Sequence, residues 1–164
     1  MENKKYILTN ETIKVEDGSV LYRIRAVKDF GDVHKGDYGG WIKSESNLSQ
    51  KDDCWVYNEA RVSGNSRVYG YARVFSDVEV YGRADICGDA EIESFEDYAV
   101  YKNNWSTGRY FTWTRSNNKW AVGCFYGSGE ELIKRAYEMS EISGKCYEII
   151  VKAQEAISNI KNNY

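Results

Sequence analysis

Between residues 56 and 97 the apolar positions recur every sixth residue. Val56, Val62, Val68, Val74, Val80, Ile86 and Ile92 head the rows VYNEAR, VSGNSR, VYGYAR, VFSDVE, VYGRAD, ICGDAE and IESFED. The fifth position of each row holds Ala60, Ser66, Ala72, Val78, Ala84 and Ala90, then Glu96. The third is mostly glycine, at Gly64, Gly70, Gly82 and Gly88, which marks backbone that turns or accepts a close neighbour. Neither the helical period nor the strand period produces this beat. A row reads instead as one side of a triangular coil, three rows to a turn of 18 residues. The sixth column tests that spacing: Arg61, Arg67 and Arg73 each stand 18 residues before an acid, Glu79, Asp85 and Glu91. Opposite charges facing each other across neighbouring strands are favourable and like charges are not. Rows stacked at 12 residues would instead set Arg61 on Arg73. So short a coil exposes unpaired backbone at both ends, and repeat arrays close such ends with atypical caps.

The flanking segments supply candidate caps. In residues 1–55, Ile13 and Val15 alternate with polar residues, Asp17-Gly18 predicts a type I′ turn, and Val20, Tyr22, Ile24 and Ala26 alternate on the return strand. A Gly- and Asp-rich loop follows, organised around Phe30, Tyr38, Trp41 and Leu48. After the repeats (56–97), residues 98–127 read as a second hairpin, RYFTWTR and KWAVGCF, turning at Asn117-Asn118. Residues 128–164 read as two helices. Ser128 and Glu131 form a capping box, and Leu132, Ile133, Ala136, Tyr137 and Met139 give the first helix its apolar face. Gly144 is expected to break or kink the helical run. Cys146, Ile150, Ala153, Ile157 and Ile160 then form a stripe, expected to pack on the body rather than on another subunit.

Composition narrows the setting. The 164 residues carry 22 basic and 25 acidic side chains, a net charge of −3, which argues against non-specific duplex DNA binding. Proline is absent. The four cysteines, Cys54, Cys87, Cys124 and Cys146, show no CxxC spacing, so free thiols in a reducing cytoplasm are expected. MENKKYILTN has no apolar run of signal-peptide length, and no stretch is long and apolar enough to span a membrane.

Candidate chemistry is sparse. The one histidine, His34, lies in DFGDVHKGD before the repeats, and Asp32 and Asp37 flank it without a familiar metal-ligand spacing. No triad spacing, P-loop or dinucleotide motif is present. No catalytic residue, metal or cofactor is assigned. Residues 98–127, by contrast, hold nine aromatics, four basic residues and no acid. Trp105, Tyr110, Phe111, Trp113 and Trp120 offer stacking faces, and Lys102, Arg109, Arg115 and Lys119 offer partners for phosphate. By period two, Arg109, Phe111, Trp113 and Arg115 share one strand face. That face suits a nucleotide, a short single strand or an acidic protein surface, or it caps the coil. Tyr57, Tyr69, Phe75 and Tyr81, in the second column, point outward and form a candidate oligomer face for a homodimer or trimer.

The seven rows resemble those of the hexapeptide-repeat proteins, whose fold is a left-handed parallel β-helix. An aromatic often follows the aliphatic residue here, where the acyltransferases of that superfamily favour a small one. With LYRIRAVKDFGDVHKGDYGGWI and GRYFTWTRSNNKWAVGCFYG, the chain is also similar to small phage and prophage proteins with VYGNAR-type rows. The resemblance implies a mainly β fold: a left-handed parallel β-helix of about seven hexads, an N-terminal β-hairpin cap, and a C-terminal β-hairpin with two α-helices. It further implies a non-enzymatic binding protein in the host cytoplasm that inhibits a host component, such as a bacterial defence system, by occluding a protein or sequestering a signalling nucleotide. Two alternatives stand beside it: a hexapeptide-repeat acyltransferase using His34 at a subunit boundary, and a structural or polymer-forming protein.

Overall fold

The computed structural model describes residues 3–163 and is mainly β with two helices. Each junction between rows supplies one two-residue strand. β1 (Tyr6–Lys14), β2 (Val20–Ala26) and β3 (Tyr38–Ile42) come first. The row junctions follow as β4 (Trp55–Val56), β5 (Arg61–Val62), β6 (Arg67–Val68), β7 (Arg73–Val74), β8 (Glu79–Val80), β9 (Asp85–Ile86) and β10 (Glu91–Ile92). The aliphatic heads and the small fifth-position residues are buried together. All six third-position residues from Asn58 to Gly88 have positive φ, between 51° and 78°, which is why glycine recurs there and only Asn58 and Ser76 replace it.

Residues 18 apart pair in parallel: Arg61 with Glu79, Arg67 with Asp85, and Arg73 with Glu91. Arg61 reaches Glu79 at 2.6 Å, and Arg67 makes two bonds to Asp85 at 2.8 and 3.0 Å. Arg73 turns away from Glu91 and lies 3.6 Å from Asp32.

In place of the expected left-handed parallel β-helix of about seven hexads, no single long parallel β-helix is present among the described residues. The sheets are mixed, antiparallel, or small and parallel. One is five-stranded and mixed, in the order β1-β2-β3-β5-β8; β10-β7-β4 and β6-β9 are small parallel sheets. The reason is arithmetic and local geometry. Two residues per strand and three rows per circuit leave each side only two or three rungs. The antiparallel hairpin β1–β2 then extends one side through β3. The first hairpin's loop also departs from type I′: only Gly18 takes positive φ, and its N–H donates to the Val15 carbonyl at 2.9 Å.

The remaining strands are β11 (Tyr98–Lys102), β12 (Tyr110–Thr114), β13 (Lys119–Val122) and β14 (Phe125–Gly127), one antiparallel sheet in chain order. It closes the repeat end with hydroxyl groups. Thr112 Oγ1 accepts from Asp85 N–H at 2.9 Å, Ser116 Oγ accepts from Glu91 N–H at 2.8 Å, and Tyr98 donates to the Glu79 carbonyl at 3.0 Å. Strand edges that would otherwise be open are thus satisfied. At the opposite end the Lys5 ammonium is buried and donates to the carbonyls of Lys51, Asp52 and Cys54.

α1 (Gly129–Met139) begins at the Ser128–Glu131 capping box and α2 (Glu141–Asn162) begins at Ser140. The break falls at Ser140, not at Gly144. Gly144 lies inside α2, where a Cβ would stand 2.2 Å from the Tyr137 ring, so its role is close helix approach. The core is two clusters, one running from Tyr6 to Ile92 and the other joining Phe111, Trp113 and Trp120 to both helices.

One buried and one half-buried hydroxyl, those of Tyr6 and Tyr57, give a pH expectation. Tyr6 donates to the Leu48 carbonyl and Tyr57 to Asp32, both at 2.7 Å. Burial pushes both phenols well above their ordinary 10.0, and for Tyr57 the neighbouring carboxylate adds to it. The folded state therefore keeps protons that the unfolded state releases. This stability is complete below pH 10 and is lost as pH rises further. The thermal midpoint is expected to fall steeply above that pH, and Tyr57→Phe should flatten the fall; an unchanged slope in that variant would refute the assignment.

Candidate functional site

The C-terminal sheet and α1 enclose a groove built around Arg109. Asn103 holds the loop that leads to it. Its side-chain oxygen accepts the N–H groups of Trp105 and Ser106 at 3.3 and 2.9 Å, and its own N–H donates to the Arg109 carbonyl at 2.8 Å. Gly108, at φ 69°, lets the chain turn back into β12. One end of the groove is a cavity of about 320 Å³ with an apolar floor of Val122, Phe125, Leu132, Ala136 and Met139. Arg109, Arg135 and the exposed thiol of Cys124 stand at its rim. The other end is a cavity of about 420 Å³ lined by Arg67, Arg83, Asp85, Arg109 and Tyr110. Thr107 and Arg109 line both, so the two cavities meet at Arg109.

The electrostatics are one-sided. Arg67 is neutralised by Asp85, and the hydrogen bonds between them hold the Arg67 guanidinium above its ordinary range. Among the described residues, the guanidiniums of Arg83, Arg109 and Arg135 have no hydrogen-bonding or ion-pair partner. Arg83 lies over the Tyr110 ring at 5.1 Å, Lys102 over the same ring at 5.7 Å, and Arg135 over Phe125 at 5.8 Å. Such an arrangement has the chemistry to receive an anion by bidentate hydrogen bonding with an apolar group beside it.

The residues expected from sequence distribute unevenly. Arg109 and Tyr110 line the groove and Lys102 stands beside it. Phe111, Trp113 and Trp120 are 1%, 3% and 1% exposed and have no free face for stacking. β12 is covered on both sides, by the helices through Phe111 and Trp113 and by the repeat end through Thr112. Trp105 is half-buried, edge-on to Tyr147 at 5.0 Å. Arg115 is occupied by Glu96 and Asp97, at 3.7 and 3.8 Å, and Lys119 lies outside the groove. The second-column aromatics do not share one face, because only residues 18 apart lie on the same side. Tyr57 stacks on Phe75 at 4.6 Å, Tyr69 sits on the side of β6 and β9, and Tyr81 follows β8 on the third.

Arg83 and Arg135 were not singled out from sequence. Arg83 did leave a signal: it is the one cation in a fourth column that otherwise reads Glu59, Asn65, Tyr71, Asp77, Asp89 and Phe95. Arg135 left none. His34 is exposed on the N-terminal loop, its backbone N–H held by Asp37 at 2.8 Å, and it lines neither cavity. No cluster of three metal-ligating side chains occurs among the described residues, and no described helix is long and apolar enough to cross a membrane.

No family model matches the chain. It is similar to the uncharacterized acetyltransferase YdcK of Escherichia coli (strain K12), 38% identical over 79 residues. The match covers 40% of this chain and 24% of that protein, so the chain spans about a quarter of the length of the relative it matches.

Proposed function

We propose that this protein binds a small phosphate-bearing molecule with an apolar arm, of the acyl-coenzyme A type, and belongs functionally with the hexapeptide-repeat acyltransferases. The observation that carries the reading is the set of three guanidiniums without a hydrogen-bond or ion-pair partner, Arg83, Arg109 and Arg135, along a groove of two adjoining cavities, one of them apolar-floored. Phosphates would sit against Arg83 and Arg109, and the thioester arm would lie over Val122, Phe125 and Leu132. The relative named as an acetyltransferase supports the same direction. Transfer itself requires a base within hydrogen-bond reach of the acceptor. His34 is the sole histidine, and being exposed and outside the groove, it could serve only a neighbouring copy's site.

A second reading is favoured by what the groove contains. Its lining has no histidine, and its one carboxylate, Asp85, is tied to Arg67. Such a site captures a ligand without turning it over, as a phage-type protein sequestering a signalling nucleotide would.

One titration separates the two. Acetyl-coenzyme A, coenzyme A and a cyclic dinucleotide are each titrated calorimetrically, and release of the coenzyme A thiol from acetyl-coenzyme A is followed in parallel with an amine or alcohol acceptor present to take the acetyl group. Binding of acetyl-coenzyme A with thiol release supports transfer; tight binding of the dinucleotide without chemistry supports sequestration. In either case Arg109→Ala should weaken binding roughly 10- to 100-fold, since a hydrogen bond to a charged group is worth about 1.5–3 kcal/mol. Unchanged affinity in Arg109→Ala would remove the groove from both readings.

A further inference from the structure

The side of α2 that faces away from the body is apolar along its whole length. Its inward side is Tyr147, Val151 and Gln154. Opposite them run Ile142, Cys146, Ile149, Ala153, Ala156 and Ile160, spaced 4-3-4-3-4, the spacing of a coiled-coil seam. Ile142, Ile149 and Ile160 are 68%, 69% and 60% exposed. The sequence expectation that a stripe including Ala153, Ile157 and Ile160 packs on the body is thereby reversed for those three residues.

We propose that this seam is the contact of a symmetric dimer in which two α2 helices pack antiparallel. The charges beside it select both the partner and the direction. Lys145, Glu148, Lys152 and Glu155 all lie on one flank; Ile150 and Ile157 lie on the other. In an antiparallel pair like flanks meet. Centring the two-fold between residues 150 and 151 sets Ile149 against Ala153 of the second copy and Ile142 against Ile160. The same register sets Lys145 opposite Glu155 of the second copy, and Lys152 opposite Glu148. A parallel pair would press the charged flank onto Ile150 and Ile157, desolvating charge without a partner. Within one chain Lys145 pairs with Glu141 and Lys152 with Glu148, whereas Glu155 has no partner among the described residues. A second copy supplies it.

A 22-residue helix is about 33 Å long at a rise of 1.5 Å per residue. One such contact lies at the low end of specific interfaces, so the dimer is concentration-dependent.

Sedimentation equilibrium from low micromolar to near-millimolar concentration tests it. The wild-type chain should pass from monomer to dimer, and Ile149→Lys should stay monomeric with an unchanged circular dichroism spectrum and thermal midpoint. Lys145→Glu should weaken the dimer several-fold, and Lys145→Glu with Glu155→Lys should restore it. A wild-type chain monomeric throughout, or a dimer that survives Ile149→Lys, overturns the interface. A double charge exchange no more dimeric than Lys145→Glu overturns the antiparallel register.

Discussion

Trp113→Ala is expected to destabilise the protein by about 3–5 kcal/mol, the range for removing a large aromatic from a packed core. Trp113 is almost wholly buried, and its indole N–H donates to Asn118 Oδ1 at 2.9 Å, pinning the turn between β12 and β13. It packs in the cluster that joins Phe111 and Trp120 to Leu132, Ala136, Tyr147 and Val151. Truncation leaves a void between sheet and helices and frees the turn. Against a typical stability of about 5–15 kcal/mol, such a loss is a large share. The measurement is the denaturation midpoint in urea. Arg109→Ala is the contrasting control: its side chain is exposed and its guanidinium has no hydrogen-bond or ion-pair partner, so stability should change by less than about 0.5 kcal/mol. An unchanged midpoint in Trp113→Ala would mean that the indole is not part of the core. The pair separates loss of fold from loss of site, which matters because Trp113 reads from sequence as a binding residue.

Gly88→Ala should cost about 2–5 kcal/mol, from two sources that can be separated. Gly88 has a φ of 65°, in the left-handed region, where a side chain costs roughly 1–2 kcal/mol. A Cβ there would also stand 1.9 Å from the Tyr126 hydroxyl oxygen. Overpacking of this kind costs typically about 1–3 kcal/mol. Tyr126 accepts from Asn117 at 3.1 Å, and the same amide donates to Asp89 at 3.0 Å, so displacing the ring loosens the seam between repeats and C-terminal sheet. Burial, and then the neighbouring Asp89 carboxylate, push the Tyr126 phenol up to about 12. Gly82→Ala isolates the first source: φ is 78° and nothing lies within 4 Å of its Cβ position. The thermal midpoint should fall by roughly 5–15 °C in Gly88→Ala and by a fraction of that in Gly82→Ala. Tyr126→Ala in the Gly88→Ala background should recover part of the difference. Equal midpoints for the two glycine variants would rule out the steric contact.

Features carried by neighbours along the chain were legible in the sequence. The alternation of Val20, Tyr22, Ile24 and Ala26 appears as β2, and Ser128 with Glu131 opens α1 where the capping box predicts. The spacing of Arg61, Arg67 and Arg73 from their acids marks the 18-residue pairing, because register is set by which side chains can face each other across strands. The period does not say how long a stack will grow. That depends on the row count and on what joins each edge, and here β3 carries an antiparallel hairpin onto one side.

The site was less legible for the same physical reason. Period two assigns β12 two faces but not what covers them. Phe111 and Trp113 went under the helices and Arg115 into an ion pair with Glu96 and Asp97, leaving Arg109 and Tyr110 at the open end. Arg83 belongs to a repeat row, Arg109 to a strand and Arg135 to a helix. By itself the sequence determined the rows, their spacing, the hairpins and the helix start, since each follows from local periodicity, turn chemistry and capping. Only the tertiary structure decided which cations are left without an ion-pair partner along one groove and which face of α2 is left bare. Those outcomes depend on how the repeat end, the antiparallel sheet and the two helices pack, and no interaction between sequence neighbours encodes that packing.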